Sequence, residues 1–141
     1  MGFSLIGAAV VLGLTLFMAV EIITGDLLPT IESINDSYDD MNERFQEQVH
    51  TNINITAVSR SANGSTYTYN ISVKNIGSIT LNAEGFMILL NGYECDFTMS
   101  QTYVYPENSV YFHIGNVTVA DTTRIKVITN NGIADYMVYT G

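Results

Sequence analysis

Apolar residues run almost unbroken from Phe3 to Val20, where Ser4 and Thr15 are the mildly polar positions among 18 residues. Ile22 and Ile23 carry the run past Glu21. A helix rising about 1.5 Å per residue spans the roughly 30 Å of a bilayer's hydrocarbon core in about 20 residues. A secretory signal would open on basic residues and hold a shorter apolar core, whereas the first basic residue here is Arg44. The pattern predicts an uncleaved anchor helix over residues 1–24, with Glu21 marking its interfacial end. Gly2, Gly7 and Gly13 do not form a GxxxG pair, so no dimerisation motif is read inside this helix.

Beyond the anchor the apolar positions become periodic. Val20, Thr24, Leu27, Ile31, Ile34, Tyr38, Met41 and Phe45 alternate spacings of four and three, a 3.5-residue repeat among polar and acidic neighbours. This predicts an acidic amphipathic stalk helix over residues 25–50. Its one narrow stripe suits a coiled-coil seam better than the broad face of a globular helix. Pro29 lacks an N–H and clashes with the turn before it, so a kink or short break is expected there, with Asp26 capping a restarted helix. The seam of Leu27, Ile31, Ile34, Tyr38, Met41 and Phe45 needs cover. The chain's own β domain is one candidate; a helix of another subunit is favoured, because the sequence offers no second helix. A homodimer is one form of that pairing.

From residue 51 the period changes to two. Ile53, Ile55 and Ala57 share one side of a first strand. Tyr67, Tyr69, Ile71 and Val73 alternate with Thr66, Thr68, Asn70, Ser72 and Lys74. Asn63-Gly64 between these runs is a hairpin signal, as are Asn91-Gly92 and Asn131-Gly132. FMILL at residues 86–90 reads as a fully buried strand. YECDF, TYVYP, SVYFHIG and VTV follow, then RIKVITN with Ile125, Val127 and Thr129 inward, and finally IADYMVY. Seven to nine short strands with closely spaced turns predict an all-β immunoglobulin-like sandwich over residues 51–141, preceded by one long N-terminal helix. The Cys pair and Trp of antibody domains are absent. Tyr103, Tyr105 and Tyr111 are expected as core residues of two strands, with an interface as the alternative.

Charge narrows the partners. The net charge is −9, and eight acids against Arg44 alone place −7 between Glu21 and Glu47. Nucleic acid is excluded as a partner for want of a basic patch, and an anionic lipid surface would repel the chain. A parallel homodimer would bring the acidic stalks together, a conflict that salt or a different partner would relieve. Lys and Arg are missing from both flanks of the apolar run, so they do not set its orientation. Cys95 is the sole cysteine, and a buried, inert thiol is expected. His50 and His113 lack metal-ligand spacing, Asp36, Asp39 and Asp40 lack a calcium loop, and no nucleophile elbow or phosphate loop is present. No catalytic, cofactor or metal site is expected. Asn35, Asn54, Asn63, Asn70 and Asn116 each begin an N-x-S/T sequon. All five follow the anchor, as glycan acceptors displayed outside a cell would.

Several longer stretches carry a resemblance. MGFS at the N-terminus, SYDD at residues 37–40, NINITAV at 52–58, YNISVKNIGSITL at 69–81, LLNG at 89–92 and RIKVITNNGIADY at 124–136 together resemble the archaeal FlaF (ArlF) family of archaellum motor proteins. The resemblance implies a stator component. Its N-terminal helix would sit in the cytoplasmic membrane, and its immunoglobulin-like sandwich would lie in the pseudoperiplasm, binding S-layer protein beside a FlaG-type stator partner. No enzymatic activity is implied, and no motif transfers the S-layer contact to particular residues. Two other readings stay open: an archaellin or type IV pilin-like filament subunit, and a membrane-tethered extracellular binding module. Filament precursors carry a basic leader, and only Met1 and Gly2 precede Phe3 here, so the stator is expected.

Overall fold

The computed structural model describes residues 2–118 and 121–141. Two compact units divide it, one ending at Glu43 and the other running from Arg44 to Gly141.

The first unit is helical. Helix α1, Gly2–Ile22, is apolar on every side and buries none of its residues. A π-helical segment follows at Ile23–Leu27, and α2 spans Leu28–His50. The interruption expected near Pro29 therefore takes the form of a π turn, not a break. The Leu28 backbone N–H donates to the Ile23 carbonyl, the five-residue spacing of such a turn. Pro29 lies in the first turn of α2, where its missing N–H costs least. Asp26 caps nothing; its backbone carbonyl accepts a 2.6 Å bond from Thr30 Oγ1.

The second unit is a β-sandwich entered through the last turn of α2. Strands β1 (Ile53–Asn63), β2 (Thr66–Asn75), β3 (Leu81–Asn82), β4 (Met87–Leu90), β5 (Tyr93–Glu94), β6 (Thr98–Met99), β7 (Tyr103–Val104), β8 (Ser109–Val117), β9 (Thr122–Ile128) and β10 (Ala134–Thr140) follow in order. One sheet has the order β1-β2-β8-β6 and the other β10-β9-β4-β5, with β3 and β7 paired separately. Every pairing is antiparallel. The sandwich expected from strand spacing is present, and the four two-residue strands account for the count above nine. Of the expected VTV segment, Val119 lies outside the described residues, as does Met1 of the MGFS start.

The alternations in β2 and β9 bury the residues they single out. Tyr69, Ile71 and Val73 face Ile125 and Val127 in a core completed by Ile88, Val110, Phe112 and Ile114. Tyr69 also joins the two sheets through a 2.9 Å hydroxyl contact with the buried Thr123 Oγ1, so both polar atoms keep a partner away from water. Phe86 and Phe97 pack on Phe112 with ring centroids 5.6 and 5.0 Å away.

Three local expectations are corrected. A register shift between Ile55 and Ala57 turns Ala57 outward and Val58 inward, because a β-bulge inserts one residue and reverses the faces after it. FMILL is not buried throughout: Phe86, Ile88 and Leu90 point inward, while Met87 is exposed and Leu89 half-buried, since β4 covers the core on one face only. The first hairpin closes one residue later than expected, with Asn63 paired to Thr66 and the positive dihedral on Gly64 (φ 66°). Asn91 and Gly92 both take positive φ between the paired Leu90 and Tyr93, as a two-residue type I′ turn requires.

The stretch after β2 is held by Asn75, which is almost fully buried. Its Nδ2 donates to the Ile79 and Val104 carbonyls at 2.7 and 2.9 Å, and its Oδ1 accepts from the Gly77 N–H at 3.0 Å. The bend brings Gly77 onto the chain leaving α2, where its N–H and that of Ile76 donate to the Asn52 carbonyl. A Cβ on Gly77 would meet the His50 carbonyl and lie 2.6 Å from the Asn52 nitrogen. Gly77→Ala is expected to lower domain stability by about 1–3 kcal/mol through overpacking. Gly115→Ala, with nothing within 4 Å of the added carbon, should change it by no more than about 0.5 kcal/mol. Denaturant titration of the two variants checks this; equal effects would refute the close approach.

Candidate interaction surfaces

The seam residues Leu27, Ile31, Ile34, Tyr38, Met41 and Phe45 are all more than half exposed. Leu27 closes the π segment and the other five lie on α2. Val20 and Thr24, which begin the same repeat in sequence, precede or fall within that segment. A π turn takes more residues than an α turn, so the 3.5-residue register holds only beyond it. Among the described residues of the helical unit, none covers this row of apolar side chains.

The sequons separate by environment. Asn35 on α2, Asn54 on β1, Asn63 at the first hairpin and Asn116 near the end of β8 are exposed. Asn70 sits in the middle of β2, opposite Ser59 and His113, and is half-buried. Its Oδ1 is buried with no hydrogen-bond partner among the described residues. Ser72, the hydroxyl residue of its sequon, is buried and accepts a 2.9 Å bond from Thr56 Oγ1. The four sequons of the sandwich all lie on β1, β2 or β8, in one sheet.

The tyrosines expected in the core lie on the surface instead. Tyr103, Tyr105 and Tyr111 are 57, 57 and 48 % exposed. Their neighbours Val104, Val110 and Phe112 take the inward positions, so the alternation was present but assigned to the wrong face. A second exposed set was missed. On the outer face of the β10-β9-β4-β5 sheet, Tyr136 pairs in register with Lys126 and Lys126 with Leu89, while Val138 pairs with Arg124. Met87 lies one row away, opposite Ile128. A hollow of ≈ 230 Å³ opens here against Leu89, Arg124, Lys126 and Tyr136. Its sequence signal lies in the outward positions of RIKVITN and IADYMVY, where Tyr136 and Val138 stand at places a solvated face would give to polar residues.

A larger open cavity of ≈ 960 Å³ is lined by Cys95, Asp96 and His113 among others. It brings together a thiol, a carboxylate and an imidazole, but the recorded bond of Cys95 Sγ is a 3.5 Å donation to the Tyr93 carbonyl, not a contact with His113. Burial pushes the Cys95 thiol above its ordinary pKa; the charges of Asp96 and Glu94 add to this, and a backbone bond at Leu90 opposes it. A raised pKa leaves less thiolate at neutral pH, the reverse of an activated nucleophile. The described residues contain no group of three or more His, Cys, Asp or Glu that could hold a metal. Alkylation of Cys95 by iodoacetamide at pH 8 is therefore expected to run slower than that of a free cysteine peptide. The rate should keep rising above the pH where the peptide levels off, and a pH profile matching the peptide would contradict the raised pKa.

No family model and no curated protein matches the sequence. Among solved structures, the chain is similar to one from the archaellum periplasmic stator protein complex FlaF and FlaG from Sulfolobus acidocaldarius. The identity is 16 % and the TM-score 0.52, over 62 % of this chain and 87 % of that one. The likeness is one of fold, an immunoglobulin-like sandwich, which in this chain follows one long helix.

Proposed function

We propose that the chain is a non-enzymatic stator component of an archaellum motor. In this reading α1 is fixed in the cytoplasmic membrane, and the sandwich lies outside, in the pseudoperiplasm, holding the S-layer beside a FlaG-type partner. The observation that carries it is the likeness of this fold to a chain of a FlaF and FlaG stator complex. The membrane-length apolar helix supports it: Gly2–His50 contains a window of mean hydropathy 2.4 with none of it buried. The physical demand is simple. A rotor turns against the cell only if some other part is prevented from turning, and that part needs one hold in the bilayer and another on a fixed outer layer. The exposed seam of α2 is assigned to contact with a helix of another subunit, for which the FlaG-type partner and a second copy are the two candidates.

Full-length protein in lipid nanodiscs is expected to bind purified S-layer protein of the source cells, and a strain lacking the protein is expected to lose swimming. Absence of binding in a direct titration would sink the stator reading. Removal of a leader from the mature N-terminus, with the protein recovered in filaments, would replace it by the filament reading. For the seam, Ile34→Asp should halve the sedimenting mass of the protein component in detergent micelles if α2 pairs with a second copy. It should free the FlaG-type subunit if α2 pairs with that partner. An unchanged mass and an unchanged complex would refute the seam.

A further inference from the structure

We propose that the outer face of the β10-β9-β4-β5 sheet is the surface by which the sandwich docks an acidic protein partner, with Tyr136 at its centre and Arg124 and Lys126 setting its register. This rests on the reading that the sandwich grips an outer protein layer, and it names the face that does so.

Four observations converge on this face. First, it is apolar where a solvated sheet face would be polar. Tyr136 is 76 % exposed and Val138 53 %, and Met87 and Leu89 extend the apolar surface across β4. Such contiguous patches mark interaction sites. Second, the patch surrounds two of the chain's five basic residues. Arg124 and Lys126 alternate along β9 on the same side as Tyr136 and Val138. Glu94, in register with Leu89, closes the same row with a carboxylate, but the ion pair among the described residues is Lys74–Glu107, so Arg124 and Lys126 can meet carboxylates from outside. Third, the hollow against Leu89, Lys126 and Tyr136 offers a seat for an inserted side chain, and Tyr and Arg are the residue types that dominate binding energy in such settings. Fourth, the sandwich's four glycan acceptor sites all lie on the opposite sheet, so glycosylation would leave this face clear. The rival tyrosine at Tyr111 shares its sheet with Asn54 and Asn70.

The charge pattern selects the occupant. Two cations set singly among apolar side chains match a few placed carboxylates, not the continuous anionic surface of a bilayer, against which the chain's net −9 acts as a whole. An acidic protein surface carrying apolar groups satisfies both parts of the patch. Its carboxylates pair with Arg124 and Lys126, and its apolar groups cover Tyr136, Val138 and Met87. Repulsion from the rest of the chain disfavours every other approach, which makes the cationic pair a determinant of orientation as well as of attraction.

The test is titration of the full-length protein in nanodiscs with purified S-layer protein, using three variants at exposed positions. Thermal midpoints establish that each variant is folded. Tyr136→Ala is expected to weaken binding at least tenfold. The double reversal Arg124→Glu with Lys126→Glu should weaken it further and invert its salt dependence, so that added salt strengthens what binding remains. Tyr111→Ala should stay within about twofold of the unmutated chain. Binding that survives the first two variants, or that falls with Tyr111→Ala instead, overturns the face while leaving the stator reading intact. Failure of the unmutated chain to bind overturns the stator reading, and the face falls with it. If the double reversal abolishes self-association in sedimentation and leaves S-layer binding unchanged, the occupant is a second copy and the proposal is wrong.

Discussion

The sandwich depends on how the chain is turned after its second strand, and that turn depends on one buried amide. Asn75 binds the Ile79 and Val104 carbonyls and the Gly77 N–H, so one side chain substitutes for the backbone pairing that ends with β2. Its own N–H donates to the Asn108 carbonyl, and its carbonyl accepts from Glu107. Once Asn75 is placed, Gly77 must lie against His50 and Asn52. Ser78 then meets the His50 carbonyl with its N–H and His50 Nδ1 with its hydroxyl. Gln48 adds a 2.8 Å bond to the Asn131 carbonyl in the β9–β10 turn. The last helical turn thus ends on groups from two separate loops, of which the Ser78 N–H and Asn131 Nδ2 donate to the His50 and Glu47 carbonyls that a helix C-terminus otherwise leaves open.

Much of this was legible in the sequence, and the reasons for the rest are specific. The period-2 runs in β2 and β9 revealed the inward Tyr69, Ile71, Val73, Ile125 and Val127 because these alternate facing the core; Ser72, on the other face of β2, is buried as well. The same method failed at Ala57, because a bulge in the partner ladder is decided by pairing between strands and leaves no mark in a single run. It failed at FMILL because five consecutive apolar residues carry no alternation, and only the neighbouring strands decide which face is covered. Asn75 and Gly77 were visible only as two letters of YNISVKNIGSITL, one of the stretches that carry the resemblance. Their role required knowing that residues 50–52 pass within contact of residue 77. The helical expectation for residues 25–50 followed from periodicity. The form of the interruption did not, because proline chemistry is compatible with a kink, a break or a π turn.

The candidate surface shows the same limit more sharply. Tyr136 and Lys126 face each other across the Asn131-Gly132 hairpin, but Leu89 is distant in sequence and joins them only because β4 lies beside β9 in one register. No local motif encodes such a row. The charge of the chain pointed away from it, since five basic residues against 14 acids suggest no basic site at all. The position of two of those five on adjacent rows of one sheet is a property of topology. The sequons, in contrast, were plain in the sequence, but their gathering on one sheet was not.

The π segment at Ile23–Leu27 has its own consequence. It lies between an apolar helix with no preferred side and an acidic helix with one narrow stripe. A rod of uniform α-helix would carry a rotational setting from one end to the other, so that neighbours chosen by the first half would dictate which way the second half faces. The wider turn offsets that phase by a fixed amount. The two halves are therefore set toward different neighbours, like sections of a shaft joined through an offset coupling.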